Sequence, residues 1–140
     1  MAVPRRARVW LVVGSCVLAV ILAITLYYVF NGIGSRTLAR DELIGIWANE
    51  ETGATVEFTS DERAQVRNFT RIPSLTTEPV PGLDLNGRWY LYEGDVAISL
   101  DEQIEGSDSV SFDTATCGVR ACLIYGSEDD HLYEFFKAEG

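Results

Sequence analysis

The chain is 140 residues long, with 11 Lys and Arg against 21 Asp and Glu, a formal net charge of −10, three Cys and one His. That length bounds it to one modest domain, and the acidic balance excludes nucleic acid as a partner, because such binding rests on neutralising phosphates with Lys and Arg. The lone His131 excludes zinc hydrolases built on two or three imidazoles.

Residues 1–9 form a basic N-terminal stretch carrying Arg5, Arg6 and Arg8, and residues 10–30 (WLVVGSCVLAVILAITLYYVF) carry no charge, with only Gly14, Ser15 and Thr25 outside the apolar set. A helix of these 21 residues is about 31 Å long at about 1.5 Å per residue, enough to cross a hydrocarbon core of roughly 30 Å. The three Arg ahead of it, against Arg36 and Arg40 mixed with Asp41 and Glu42 behind it, predict a single-pass span with a cytoplasmic N-terminus and the rest of the chain outside the cytoplasm. Trp10 at one end and Tyr27 and Tyr28 at the other suit the two interfaces. Two processing alternatives compete with a retained anchor. A cleaved signal peptide has a shorter apolar region of about 7 to 15 residues and a small-x-small site, for which Gly32-Ile33-Gly34 is the candidate. Val13-Gly14-Ser15-Cys16 resembles a lipoprotein cleavage site, but the apolar run continues through Phe30, where a lipidated Cys should be followed by polar linker. Inside the helix Cys16 acts as a small apolar-compatible residue.

Removing residues 1–30 takes away three Arg and leaves eight basic against 21 acidic residues, a net −13 over the remaining 110. Eleven aromatics remain in that part, which predicts a packed domain and excludes a disordered acidic tail. Residues 31–40 read as a juxtamembrane linker that opens on a flexible exit (31–35, NGIGS), with a helical turn or two over 37–43 and Ser35 as N-cap.

Residues 41–140 form the exported domain. From Gly45 on, the hydrophobic period is 2: strands are predicted at 54–59, 64–67, 96–100, 110–112, 121–125 and 132–137, separated by turn signals at 51–53, 60–63, 93–95, 105–107 and 126–130. Residues 70–84, with Pro73, Pro79 and Pro81, are expected to be a long crossing loop. An echo links Leu43-Ile44-Gly45-Ile46-Trp47 to Leu85-Asn86-Gly87-Arg88-Trp89, forty-two residues later. In each, Gly permits a bend or a close backbone approach, and Trp two residues on points to the same face and plugs the core. The fold class predicted is all-β: a small antiparallel barrel or curled meander of about eight short strands, behind one transmembrane helix.

The Gly45-x-Trp47 opening, the short meandering strands and the closing Tyr133-Glu134-Phe135-Phe136 strand resemble the lipocalin-like (calycin) small barrels, in particular membrane-tethered or secreted actinobacterial members, over roughly residues 41–140. The resemblance implies a barrel that holds an apolar ligand, or, in a domain this short, one filled by side chains. The haem-binding pattern Gly-x-Trp-x-Gly-x-Gly is not matched, since Ala48-Asn49-Glu50 follows Trp47.

Cys117 and Cys122 enclose four residues. Outside the cytoplasm such a pair reads as a disulfide worth about 2 kcal/mol; free thiols or a metal site recruiting His131 are the alternatives, the latter short of a fourth ligand. His131 beside Glu128, Asp129 and Asp130 reads as a solvated loop residue, against the alternative of a general acid or base. The acidic runs at 101–105 and 128–130 lack EF-hand spacing and read as solvated turns that protect strand edges. Asn68-Phe69-Thr70 is a glycosylation sequon in a eukaryotic source. Trp89-Tyr90-Leu91-Tyr92 is apolar on both faces: either a central strand with its tyrosine hydroxyls in solvent, or a strand whose Tyr90 and Tyr92 form an outward patch for a partner. The expected role is therefore binding without chemistry of its own and without a cofactor. The candidate residues are Trp47, Trp89, Tyr90 and Tyr92, and the partner is either a small apolar or amphiphilic molecule or a surface protein.

Overall fold

The computed structural model describes residues 5–71, 80–104, 106–126 and 132–139, with side chains from Val13 on except Asn31. Helix α1 (Arg5–Asn31) contains Val13–Phe30, which by length and composition is apolar enough to cross a membrane, and none of that stretch is buried against the rest of the chain. Where a flexible exit is expected, Ile33–Ser35 instead form strand β1, paired antiparallel with β7 (Ser107–Cys117) through Ile33–Cys117, Gly34–Thr116 and Ser35–Ala115. A neighbouring strand edge supplies backbone partners that an isolated Gly-rich segment lacks, and this long-range pairing leaves no trace in local sequence.

The helical turn is shorter than expected. Helix α2 (Arg40–Leu43) starts after Ala39, whose N–H donates to the Glu42 carboxylate at 2.8 Å; Ser35 lies in β1 and does not cap it. The turn carries Leu38 and Leu43 beneath one end of a barrel, both buried.

That barrel is an up-and-down meander of β2 (Gly45–Ala48), β3 (Thr55–Phe58), β4 (Arg63–Arg71), β5 (Val80–Tyr92), β6 (Asp95–Ile104), β7, β8 (Arg120–Gly126) and β9 (Leu132–Lys137). Each strand pairs antiparallel with the next, and β9 pairs with β2 to close the ring. Closure decides for a barrel over a sandwich and gives every strand of the ring a partner on both sides. Strand β1 lies outside the ring, on the part of the β7 edge that β6 vacates after the Val96–Phe112 pair. The strand directions place α2, the 59–62 turn, the 93–94 turn and the 118–119 turn at one end, where α1 also arrives. The 49–54 turn lies at the far end.

Two sequence expectations change. Residues 70–71 belong to β4 and 80–84 to β5, so only 72–79, which lie outside the described residues, are left for the crossing loop. Pro81 is accommodated where β5 begins, next to Gly82 at φ +77°, and a proline near a strand's first residues removes a donor the ladder does not need. Asp101, Glu102 and Gln103 are not a turn but the end of β6. The 128–130 acidic run and His131 lie outside the described residues.

Alternation sends one face of each strand inward. Trp47, Phe58 and Trp89 pack with Leu38 and Leu43 at the helix-side end, and Phe69, Phe112, Tyr125 and Phe135 occupy the interior with ring centroids 4.6 to 6.0 Å apart. The two echoed tryptophans have equivalent jobs: the Trp47 indole N–H donates to the Leu43 carbonyl at 2.8 Å and that of Trp89 to the Thr59 carbonyl at 2.9 Å. Neither buried ring thus leaves a polar group unmet. Outside the ring, Ala115, Cys117, Cys122 and Ile124 form a second buried cluster with Leu132 and Phe136. The Cys117–Cys122 disulfide sits in it, Cα atoms 5.8 Å apart, clamping the β7–β8 hairpin.

Candidate functional site

Aromatic side chains occupy the barrel interior, and two grooves open among the described residues. Above the Gly87–Leu100 pair, β5 and β6 part and leave an open cleft of about 230 Å³ lined by Asp84, Leu85, Asn86, Leu100, Asp101, Glu102 and Ile104. Its acidic groups are partly committed. The Arg63 guanidinium engages both Asp101 carboxylate oxygens, at 2.6 and 3.3 Å, and holds that carboxyl below its ordinary range. A second groove, of about 360 Å³, runs along the helix-side end past Leu38, Glu42, Trp47, Arg120 and Lys137. Here the Lys137 ammonium donates to the Glu42 carbonyl at 2.7 Å and lies 5.9 Å from the Trp47 ring centre. The Ala39 N–H, and then the Arg36 guanidinium at 2.9 Å, lower the pKa of the Glu42 carboxyl. In each groove part of the charge is engaged within the chain, Asp101 by Arg63 in the first and Glu42 by Arg36 in the second.

The four residues singled out from sequence divide between two places. Trp47 and Trp89 are each only 1% exposed, with Phe58 edge-on to Trp89 at 5.5 Å; both belong to the buried core, and Trp47 also borders the helix-side groove. Tyr90 and Tyr92 point outward, 46% and 62% exposed, and Leu91 between them is 40% exposed. Leu91 was not singled out from sequence, because alternation places it on the inward face. It is bare because β5 outruns its neighbour: β4 begins at Arg63, opposite Arg88, and beyond it only the Trp89 N–H donates across, to the Glu62 carbonyl at 3.0 Å. From Tyr90 to Tyr92 the pairing is with β6 alone, Tyr90 to Ala97, Leu91 to Val96 and Tyr92 to Asp95. Backbone groups alternate sides along a strand, so Leu91 directs its N–H to the same side as Trp89, where β4 has ended. The space beside Trp89 is taken by Arg40, its guanidinium 5.0 Å from the ring centre and 2.6 Å from the Glu62 carboxylate. The result is an overhanging strand end with two outward tyrosines and one bare leucine.

The overhang is bordered by acid. Asp113 lies one step beyond the Val96–Phe112 pair, across from Asp95. Burial first, and the Asp95 charge second, push its carboxyl pKa above the ordinary value. A raised folded pKa means that the ionised form is disfavoured in the native state, so native stability falls as pH rises through the ordinary carboxylate range and the raised value above it. Asp113→Asn is accordingly expected to stabilise the chain at pH 7 by about 0.5 kcal/mol, the scale of a like-charge cross-strand pair. In paired thermal melts that gain should vanish in acid, once the Asp113 carboxyl is protonated; a gain that persisted there would assign it to packing instead.

Among the described residues no group of three or more His, Cys, Asp or Glu side chains converges as a metal site requires. Compared with known protein families, curated proteins and solved structures, the chain matches none.

Proposed function

We propose that this chain is a single-pass anchor that displays a side-chain-filled, lipocalin-like barrel outside the cytoplasm, and that the β5–β6 overhang docks an exported or membrane protein. Two things support the location: the Arg5, Arg6 and Arg8 cluster ahead of the apolar helix, and a disulfide at Cys117–Cys122, which persists in oxidising compartments. The observation that carries the docking role is the exposure of Tyr90, Leu91 and Tyr92 on a strand end with one edge unpaired. Aromatic side chains are enriched at protein interfaces, and a free strand edge offers main-chain hydrogen bonds to an added segment. The competing reading, a small apolar ligand held inside the barrel, has less room, because Phe69, Phe112, Tyr125 and Phe135 already pack against one another there.

A photoreactive residue at position 92 of the full chain, activated in intact cells, tests the docking role. One recurrent protein partner is expected, and its yield should collapse in a chain that also carries Tyr90→Ser and Leu91→Ser, while near-ultraviolet circular dichroism stays native. Adducts only between copies of this chain would overturn the reading. So would a small molecule retained by the purified protein in native mass spectrometry.

A further inference from the structure

We infer that the tip of the β7–β8 hairpin is a lipid-contacting foot, with Val119 seated in the interfacial layer of the leaflet from which α1 emerges. This rests on α1 being a retained membrane span. The junction between helix and barrel has no slack. Helix α1 ends at Asn31 and β1 begins at Ile33, so a single residue, Gly32, separates the apolar helix from a strand already paired to the barrel. The junction is closed further by the Gly118 N–H, which donates to the Gly32 carbonyl at 2.9 Å. Gly118 itself has φ +65°, and a Cβ there would collide with the Phe30 carbonyl oxygen. The hairpin backbone therefore lies against the last residue of the apolar stretch Val13–Phe30, and Val119 is the next residue out.

Its chemistry suits that position. Turn tips exposed to water are normally polar, yet Val119 is 65% exposed. The one charge between the two cysteines, Arg120, is folded back with its guanidinium 4.7 Å from the Phe136 ring centre. Tyr27 and Tyr28, both well exposed near the end of the span, belong to the residue type that settles at the headgroup level. The tip cannot swing away, because the Cys117–Cys122 disulfide clamps the hairpin immediately behind it and Cys122 is fully buried. The foot is distinct from the docking strip. Thr114 donates to the Gly94 carbonyl at the turn beside Tyr92, and Thr114 stands three residues, about 10 Å at the usual strand rise, back along β7 from Cys117.

Reconstitution of the full chain in vesicles of phosphatidylcholine and phosphatidylglycerol tests this, with p-benzoylphenylalanine replacing Val119, Val20 in the middle of the span, or Glu102 at the far end of β6, and adducts identified by mass spectrometry. Lipid adducts are expected from positions 20 and 119 and none from 102. Lipid adducts at 20 without any at 119 would overturn the foot and leave the anchor standing. Absence of lipid adducts at 20 would overturn the anchor and the foot together. Adducts at 102 equal to those at 119 would overturn the foot as a specific contact.

Discussion

Trp89→Ala is expected to cost the chain about 3–5 kcal/mol of stability, the range for removing a fully buried aromatic side chain. The ring is 1% exposed, Phe58 meets it edge-on, Arg40 covers it, and its N–H satisfies the part-buried Thr59 carbonyl. Truncation therefore opens a cavity and at once removes one of the two hydrogen bonds to that carbonyl, which keeps only the Glu62 N–H at 3.2 Å. Trp89→Phe separates the two effects: most of the ring volume stays, and the lost hydrogen bond should account for about 1 kcal/mol. Tyr90→Ala, the neighbour on the opposite face, should change stability by only about 0.5 kcal/mol in either direction, as exposed positions do. Denaturant unfolding of the full chain in detergent, followed by circular dichroism, reads all three. If Trp89→Ala proved as mild as Tyr90→Ala, the role of the second Leu-x-Gly-x-Trp motif as a core plug would be lost, and Trp89 would return as a surface binding residue.

Gly87→Ala is expected to destabilise by about 2–3 kcal/mol, the upper part of the overpacking range, although it adds a single methyl group. Gly87 faces the interior of β5, and a Cβ there would run into the Ser99 carbonyl oxygen and lie 2.8 Å from Ile98 Cγ2. The Ser99 oxygen is backbone in a paired strand and has nowhere to retreat. Gly45, its counterpart in the first motif, is there for a different reason. It holds φ +130°, a conformation that L side chains rarely adopt, and its nearest neighbour is the flexible end of Lys137 at 3.1 Å. At Gly45 an alanine would be resisted by the backbone, whereas at Gly87 it would be resisted by a neighbour. Gly34→Ala is the control: a Cβ there meets nothing within 4 Å, and no loss is expected. A Gly87→Ala chain as stable as the Gly34→Ala chain would show that β5 and β6 do not approach as closely at this point as their register requires.

The shared motif also shows how far the sequence reaches. Period-2 alternation around Val56 and Phe58 and around Ile98 foretold strands that the fold contains at those places, because a half-buried strand must alternate whatever its partner; the strand expected over 121–125 is also present, but Cys122, Leu123 and Ile124 are buried on both of its faces. The disulfide was equally legible, since four intervening residues leave two cysteines able to meet across a tight hairpin. Strand lengths were less so. β5 runs from Val80 to Tyr92 through Pro81 and Gly82, where local signals favour a loop; pairing with β4 through Leu83 and Leu85 overrode them. The candidate site was half legible. Trp47 and Trp89 were expected to plug the core and are buried in it, while Tyr90 and Tyr92, offered as an outward pair, face solvent. Leu91, bare only because β4 stops at Arg63, had no local signal at all.

By itself, the sequence determined a charge-free stretch long enough as a helix to span a bilayer, an acidic all-β domain behind it, and a clamped hairpin near its end. Each of these depends on near neighbours in the chain: continuous apolarity, alternation, or a short loop between two thiols. Tertiary structure alone decided that β9 meets β2 to close the ring, that β1 joins β7 so the helix enters the barrel without a linker, and that β5 overhangs β4 to bare Tyr90, Leu91 and Tyr92. These depend on which strand ends where relative to a partner many residues away, and residues so far apart in the chain become neighbours only when the sheet has formed.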